Sequence, residues 1–470
     1  SRGLGDVYKR QALLVLPLVF TSCSDYLDRD DDDNITEADV FARYEKVNGL
    51  VSDVYAAAKK ADRPLVFFEH FSNSAITDEC EGTNVEGNIT NNFNNGAWNP
   101  NSLPGSVGQY WEALYEGIRK ANLIIENVQK YNTPDNPQQD GDLRNRIGEM
   151  YFMRGYFHML LLRMYGEAPY IDRVINAGDN MDFKKESVHS MVEKIVTDAQ
   201  TAYGMVPNKY VKTSENFGRV DKGACLGLIS FVRWVAATPL WNGASQYGYN
   251  LRRVFENEYA YDATRWRKAK EAAKAVLDFE VGGTKRYSLY TKHDANDFKD
   301  PADGNLNDSR VYARLWDMFY DMDAFANEYV FFMTKSKDQA WQGDIYPPSR
   351  EGSSRQQPVQ EQVDEYEYIV GDYGYPVYSA EARKGGYDDT NPYVKGTRDP
   401  RFYRDVIYHG APYRNNKNES KTINTASGSD KIGATNATTT GYYLRKFQQE
   451  SWNKSGNFSI NAPAIWRLPE

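Results

Sequence analysis

The most regular hydrophobic pattern in the chain lies in residues 144–171, RNRIGEMYFMRGYFHMLLLRMYGEAPYI. Met150, Met153, Phe157, Leu160 and Met164 recur at three-four-three-four spacing, which stacks side chains on one face of an α-helix. Phe152, Tyr156, Met159 and Leu161 widen that face, so burial on more than one side is expected. Gly166 suits a left-handed cap, and Pro169 cannot continue a helix. The same periodicity predicts a helix over 36–60, with Val40, Tyr44, Val47, Val51, Val54 and Tyr55 along one side. Another follows the capping box Ser106-x-x-Gln109 and ends before Pro134, with Val107, Trp111, Leu114, Ile118, Ile125 and Val128 as its apolar stripe. Further helices are predicted over 187–203, from the cap Asp221 through Ala237, over 266–279 behind Asp262 or Thr264, and over 311–325. Helices of this length in pairs, separated by short breaks, imply a degenerate tetratricopeptide-like scaffold in which neighbours bury each other's faces.

From about Asn327 the pattern changes. Residues 328–334 are β-rich, and beyond them Gly, Pro, Asp, Asn and Tyr dominate long stretches without helical period. Loops of that length carry function or pack as irregular layers over a scaffold. Residues 424–440, rich in Ser, Thr, Ala, Gly and Asn, read as a flexible surface loop. At the other end, Lys9 and Arg10 precede an apolar run over 12–20 that closes in Thr21-Ser22-Cys23, the form of a secretory signal. The run is well short of the ~20 residues a membrane span needs. Cys23 after Thr-Ser looks like a lipidation site exposed by cleavage, with Phe20 where an aliphatic residue is usual. Residues 24–33, SDYLDRDDDD, form a charged, extended tether. The expected organisation is a signal over 1–22 with an altered start, the lipidated Cys and tether over 23–35, a helical-repeat domain over 36–326, and a loop-rich part over 327–470. The fold class is mainly α, with a few short strands.

Composition narrows the chemistry. The chain of 470 residues carries 35 Tyr, 21 Phe and 9 Trp, a content suited to wet surfaces where a flat ring and a hydroxyl are both useful. A net charge of −9 argues against nucleic-acid binding by phosphate neutralisation. Three cysteines build no disulfide framework, and five scattered histidines show no zinc spacing. Glycoside hydrolysis needs two carboxylates flanking a cleft, but among 65 acids a pair such as Asp78 and Glu79 carries no information. The motif G-x-S-x-G is absent. Oxygen ligands in the 294–308 loop raise a Ca²⁺ site as an alternative to a plain polar loop, without EF-hand spacing. No enzyme activity, cofactor or metal is expected.

The order of short motifs is more specific than any one of them. The run Arg154 to Tyr170 (R-G-Y-F-x-x-L-L-L-x-M-Y-G-E-A-P-Y), the helix Trp111 to Asn122 (W-x-x-x-Y-x-x-I-x-x-A-N), Gly218-Arg-Val-Asp-Lys-Gly-Ala224, and Trp266 to Val276 come first. Asn327-Glu-Tyr-Val-Phe331, Asn391-Pro-Tyr393 with Arg398-Asp-Pro-Arg401, and Thr440-Gly-Tyr-Tyr-Leu-Arg-Lys-Phe447 follow. Together, behind Cys23, they resemble the SusD/RagB-like family of outer-membrane nutrient-binding lipoproteins over nearly the whole chain. The resemblance implies a SusD-like α superhelix. It implies a non-catalytic, surface-exposed lipoprotein, anchored to the outer membrane through Cys23, that binds a glycan and works with a SusC-like TonB-dependent transporter. It also implies that the family's chain continues beyond the Arg467-Leu-Pro-Glu470 element, so this chain reads as truncated there. Family glycan sites are built on loops, here one within 71–104 and another just beyond the 327–331 strand, with Tyr290 and Lys292 in a third. The site residues expected are Trp98 and Trp341 as stacking platforms, Asn101 (near Asn99) and Gln342 as hydrogen-bonding partners, and Tyr346. Peptide capture, or a helical-repeat interaction module without its own ligand, are the alternatives.

Overall fold

The computed structural model describes residues 36–61, 71–83, 89–97, 99, 101, 105–131, 137–210, 216–244, 255–291, 327–332, 343–394, 396–414, 420–447 and 464–467. The signal, Cys23, the tether, the 294–308 loop, the 311–325 helix, Trp98, Lys292, Trp341 and Gln342 lie outside the described residues.

The architecture is mainly helical. Six long helices lead: α1 (Tyr44–Ala61), α2 (Gly105–Tyr131), α3 (Pro137–Tyr165), α4 (Val188–Met205), α5 (Lys222–Ala237) and α6 (Ala263–Asp278). Each of α2 to α6 packs against its neighbour in sequence, and α1 lies against both α2 and α3. Their starts follow side-chain chemistry. Ser187 accepts from the Ser190 amide at 3.2 Å, Asp221 from Ala224 at 3.1 Å, and Asp262 from Thr264 at 2.8 Å, each satisfying an orphan donor of the first turn. α3 supplies the centre of the core: Met150, Phe152, Met153, Tyr156, Phe157, Met159 and Leu161 are fully buried. Gly166 ends it with φ +70°, its amide donating to Leu162 at 3.0 Å, while the Trp241 ring occupies the space beside its Cα.

The expected helix over 36–60 is broken. Thr36 caps a short helix, Glu37–Phe41, and α1 starts afresh at Tyr44. Val47, Val51, Val54 and Ala58 form the buried stripe of α1, and Phe41 is buried too. In one continuous helix Phe41 would lie about 120° from that stripe, so the break at Ala42 and Arg43 is what brings it inside.

The remainder folds as short antiparallel pairs. Three of them join distant segments: Cys80–Gly82 with Gln356–Pro358, Tyr329–Phe332 with Ala464–Arg467, and Val406–Ile407 with Tyr443–Leu444. Phe331 meets Phe152 and Tyr156 edge-on at 4.9 and 5.4 Å, so the second pair covers the helical core. A separate core gathers Ile345, Tyr346, Val363, Phe402, Tyr408 and Tyr443. The 424–440 segment is not the loose loop its composition implied. Thr425, Ala437 and Thr438 are buried, the Asp430 carboxylate accepts from the Ser349 amide at 2.8 Å, and the Asp430 carbonyl accepts from the Tyr443 hydroxyl at 2.8 Å. Its small residues serve tight turns, with positive φ at Gly428, Gly433 and Asn436.

Candidate functional site

The motif residues come together as scaffold. Arg154 makes a two-pronged ion pair with Asp198, at 2.5 and 2.8 Å, and donates to Asn122 at 2.9 Å and to the Asp172 carbonyl at 2.8 Å. The Tyr170 hydroxyl donates to the same Asp198 at 2.7 Å. His158 stacks on Tyr170 at 3.7 Å. Its Nδ1 faces the Arg154 carbonyl at 2.8 Å and its Nε2 accepts from the Ile171 amide at 3.0 Å, which fixes a neutral tautomer. Burial pushes the imidazole pKa down to about 3. A second network centres on the fully buried Glu149, which receives Arg146 at 2.7 Å, Arg219 at 2.9 Å and the Tyr55 and Tyr210 hydroxyls. Glu328, of the 327–331 motif, accepts from the Tyr290 amide at 2.7 Å. These groups lock helices and connections together and are closed to a ligand.

Described residues of the first expected loop pair, at a seam, with a segment that follows the second. Cys80–Gly82 pairs with Gln356–Pro358, and the buried Gln356 amide oxygen accepts from both the amide and the hydroxyl of Ser72 at 2.9 Å. Arg355 is the junction. Its carbonyl accepts from the Thr83 amide at 2.7 Å and hydroxyl at 2.8 Å, and its own amide donates to the Asp344 carbonyl at 2.5 Å. Thr83 stands where the first loop leaves the seam, and Asp344 stands two residues after Gln342. Gly352 presses against the Tyr346 carbonyl so closely that a Cβ would fall about 2.0 Å from it, which holds the 343–355 turn tight. No periodicity in SSRQQP marks Arg355 or Gln356, so the seam was not visible in the sequence.

Of the nominated residues that are described, Asn101 is exposed and its amide donates to the Asn99 side chain at 2.9 Å, leaving the Asn101 side chain facing solvent. Tyr346 is 1 % exposed within the second core, so its ring offers no face to solvent; its place is to seat the turn next to the loop. Tyr290 is likewise buried. Elsewhere, a cleft of about 690 Å³ lies between α2 and the 171–181 connection, lined by Tyr115, Ile118, Ile171, Ile175 and Met181. A polar cavity of about 200 Å³ sits among α4, α5 and α6, where Glu193 is clamped by Arg233 and Lys268. Among the described residues no group of three or more His, Cys, Asp or Glu is placed to hold a metal ion, and no helix is long and apolar enough to cross a membrane.

The class of fold is a stacked helical scaffold whose irregular segments are joined by long-range strand pairs. A profile described as starch-binding and associating with the outer membrane matches residues 25–232, and the SusD family profile matches 316–469. The two profiles between them match most of the chain in chain order, and the chain belongs to the SusD/RagB family. A SusD-like protein P2 of Formosa agariphila is 28% identical over 129 residues, a match that spans 27% of this chain and 24% of that relative's length. The fold is similar to that of a SusD-like protein from Bacteroides fragilis, with TM-score 0.68, 18% identity, and coverage of 93% of this chain and 75% of that one. It is also similar to a SusD-like carbohydrate-binding protein from the same organism, with TM-score 0.64, 14% identity, and coverage of 91% and 72%. A laminarin-binding SusD-like protein aligns with TM-score 0.52, 16% identity, and coverage of 90% and 77%.

Proposed function

We propose that this protein captures a polysaccharide or oligosaccharide at the cell surface and delivers it to a SusC-like TonB-dependent transporter, held to the outer membrane by a lipid on Cys23. Family membership supports the class of ligand, and the family description supports outer-membrane association. The observation that supports the site is the Arg355 junction, since Thr83, within the first expected loop, and Asp344, two residues after Gln342, both bond to this one residue. Sugars present apolar CH faces and hydroxyl edges, which call for aromatic platforms beside amides. Trp98 and Trp341 are the proposed platforms, Asn101 and Gln342 the proposed hydrogen-bonding partners, and Tyr346 the support behind them. A glycan screen on the folded protein, followed by calorimetric titration of each hit, tests this reading. It predicts binding to one polysaccharide class with no bond cleavage. Binding to peptides and to no glycan overturns it.

A further inference from the structure

The strands Tyr368–Val370 and Tyr373–Tyr375 form a hairpin in which Tyr368 lies opposite Tyr375 and Val370 opposite Tyr373. These four side chains therefore share one face; Tyr368, Val370 and Tyr375 pack with Ala382 of the short helix Ala380–Lys384, and Tyr373 stands open at the turn end. The aromatic row continues beyond the hairpin. Tyr368 meets Tyr387 edge-on at 5.5 Å, and Tyr387 meets Tyr378 at 6.1 Å and 87°. Tyr368 and Tyr387 are buried, whereas Tyr378, at the end of the row, is 55% exposed, and Tyr373, at the hairpin turn, is 70% exposed.

The Tyr378 end lies beside Asp364. Partial burial, and then the Asp364 carboxylate beside its hydroxyl, push its pKa up to about 12. Asp364 accepts from the Gln360 amide at 2.7 Å, Gln360 accepts from the Tyr442 hydroxyl at 2.7 Å, and Tyr442 is bonded to Tyr393 at the edge of the second core. The exposed Arg383–Asp389 pair, at 3.0 Å, supplies donors and acceptors at the same end. Over residues 367–390 the exposed acids Glu367, Asp372, Glu381, Asp388 and Asp389 outnumber Arg383 and Lys384. That imbalance repels an acidic ligand.

We propose that the surface carrying the open rings of Tyr378 and Tyr373 is a second carbohydrate-binding surface, and that it takes a neutral oligosaccharide in preference to one bearing uronate or sulfate. The proposal rests on the glycan-binding reading above. The CH faces of the sugar stack on the open rings, and its hydroxyls bond to Asp389 and Arg383.

Native affinity electrophoresis of the purified protein in gels holding soluble starch, laminarin, galactomannan, pectin or alginate tests it, with thermal melting to verify folding. Retardation by a neutral polysaccharide is expected, and Tyr378→Ala should weaken it by about fivefold to tenfold. Tyr378→Phe, which keeps the ring, should stay within about twofold of the wild type. Unchanged retardation of Tyr378→Ala in a gel that retards the wild type overturns the second surface and leaves the general reading intact. A folded wild type that no polysaccharide retards overturns both. Retardation by pectin or alginate alone overturns the assignment to neutral glycans.

Discussion

Two buried arginines divide the molecule. Arg154, in the helical half, spends its guanidinium on the Asp198 carboxylate, the Asn122 side chain and one carbonyl. Arg398, in the loop-rich half and 2% exposed, donates instead to the carbonyls of Tyr366 at 2.9 Å, Val363 at 2.6 Å and Pro392 at 3.4 Å, with its face over the Phe402 ring at 4.9 Å. The reason lies in the backbone. Helices satisfy their own carbonyls, so a buried cation among them needs a carboxylate and serves to set one helix against another. Irregular segments leave carbonyls open, and an arginine can close several at once. The first arrangement fixes the scaffold; the second lets loops without secondary structure pack as a core.

The largest effect expected from breaking this contrast is at Arg154. Arg154→Ala strands Asp198 in the core and should cost about 3–5 kcal/mol in denaturant unfolding. Arg398→Ala leaves carbonyls without partners near the second core and should cost about 2–3 kcal/mol. Limited proteolysis should then cut first within 360–405 and spare α2 to α5. Cleavage beginning in the helices would contradict the division.

The His158 ring sharpens the comparison through pH. Its folded pKa of about 3 lies below the ordinary value of 6.5, so the unfolded chain takes up a proton that the folded ring refuses. The stabilisation is complete above pH 6.5 and is lost as pH falls from there towards 3. His189, held at about 4 chiefly by burial, acts in the same direction. His158→Gln should therefore flatten the decline in melting temperature between pH 6.5 and 4. An unchanged slope would assign the acid sensitivity elsewhere.

Gln356→Ala removes the buried acceptor of Ser72 and should cost about 1–2 kcal/mol, with hydrogen exchange rising at 72–83 and 355–359. Unaltered exchange there would mean that the strand pair alone holds the seam. Asn101→Ala should change stability by less than about 0.5 kcal/mol, because Asn101 is exposed. On the proposed reading it should nonetheless weaken glycan binding in calorimetry.

The same contrast explains what the sequence disclosed. Periodicity located the five helices α2 to α6 because each buries a stripe, and Asp221 and Gly166 marked ends because their chemistry is local. The family motifs were legible for a related reason: Arg154, Asn122, Tyr170 and Arg219 sit in fixed networks that tolerate few other residues. The break at Ala42, the packed 424–440 segment, the Arg355 junction and the tyrosine row were hidden. Each depends on partners tens or hundreds of residues away, and local spacing carries no trace of them. The most recognisable residues thus build the frame, and the residues proposed to meet the ligand are the least patterned.

The most direct test of that separation is thermal melting of the wild type and of a Trp98→Ala/Trp341→Ala variant, with and without the polysaccharide found in the screen. The account predicts similar melting temperatures without ligand, and a ligand-induced rise only in the wild type. An equal rise in both proteins would contradict it, and so would a variant that no longer folds.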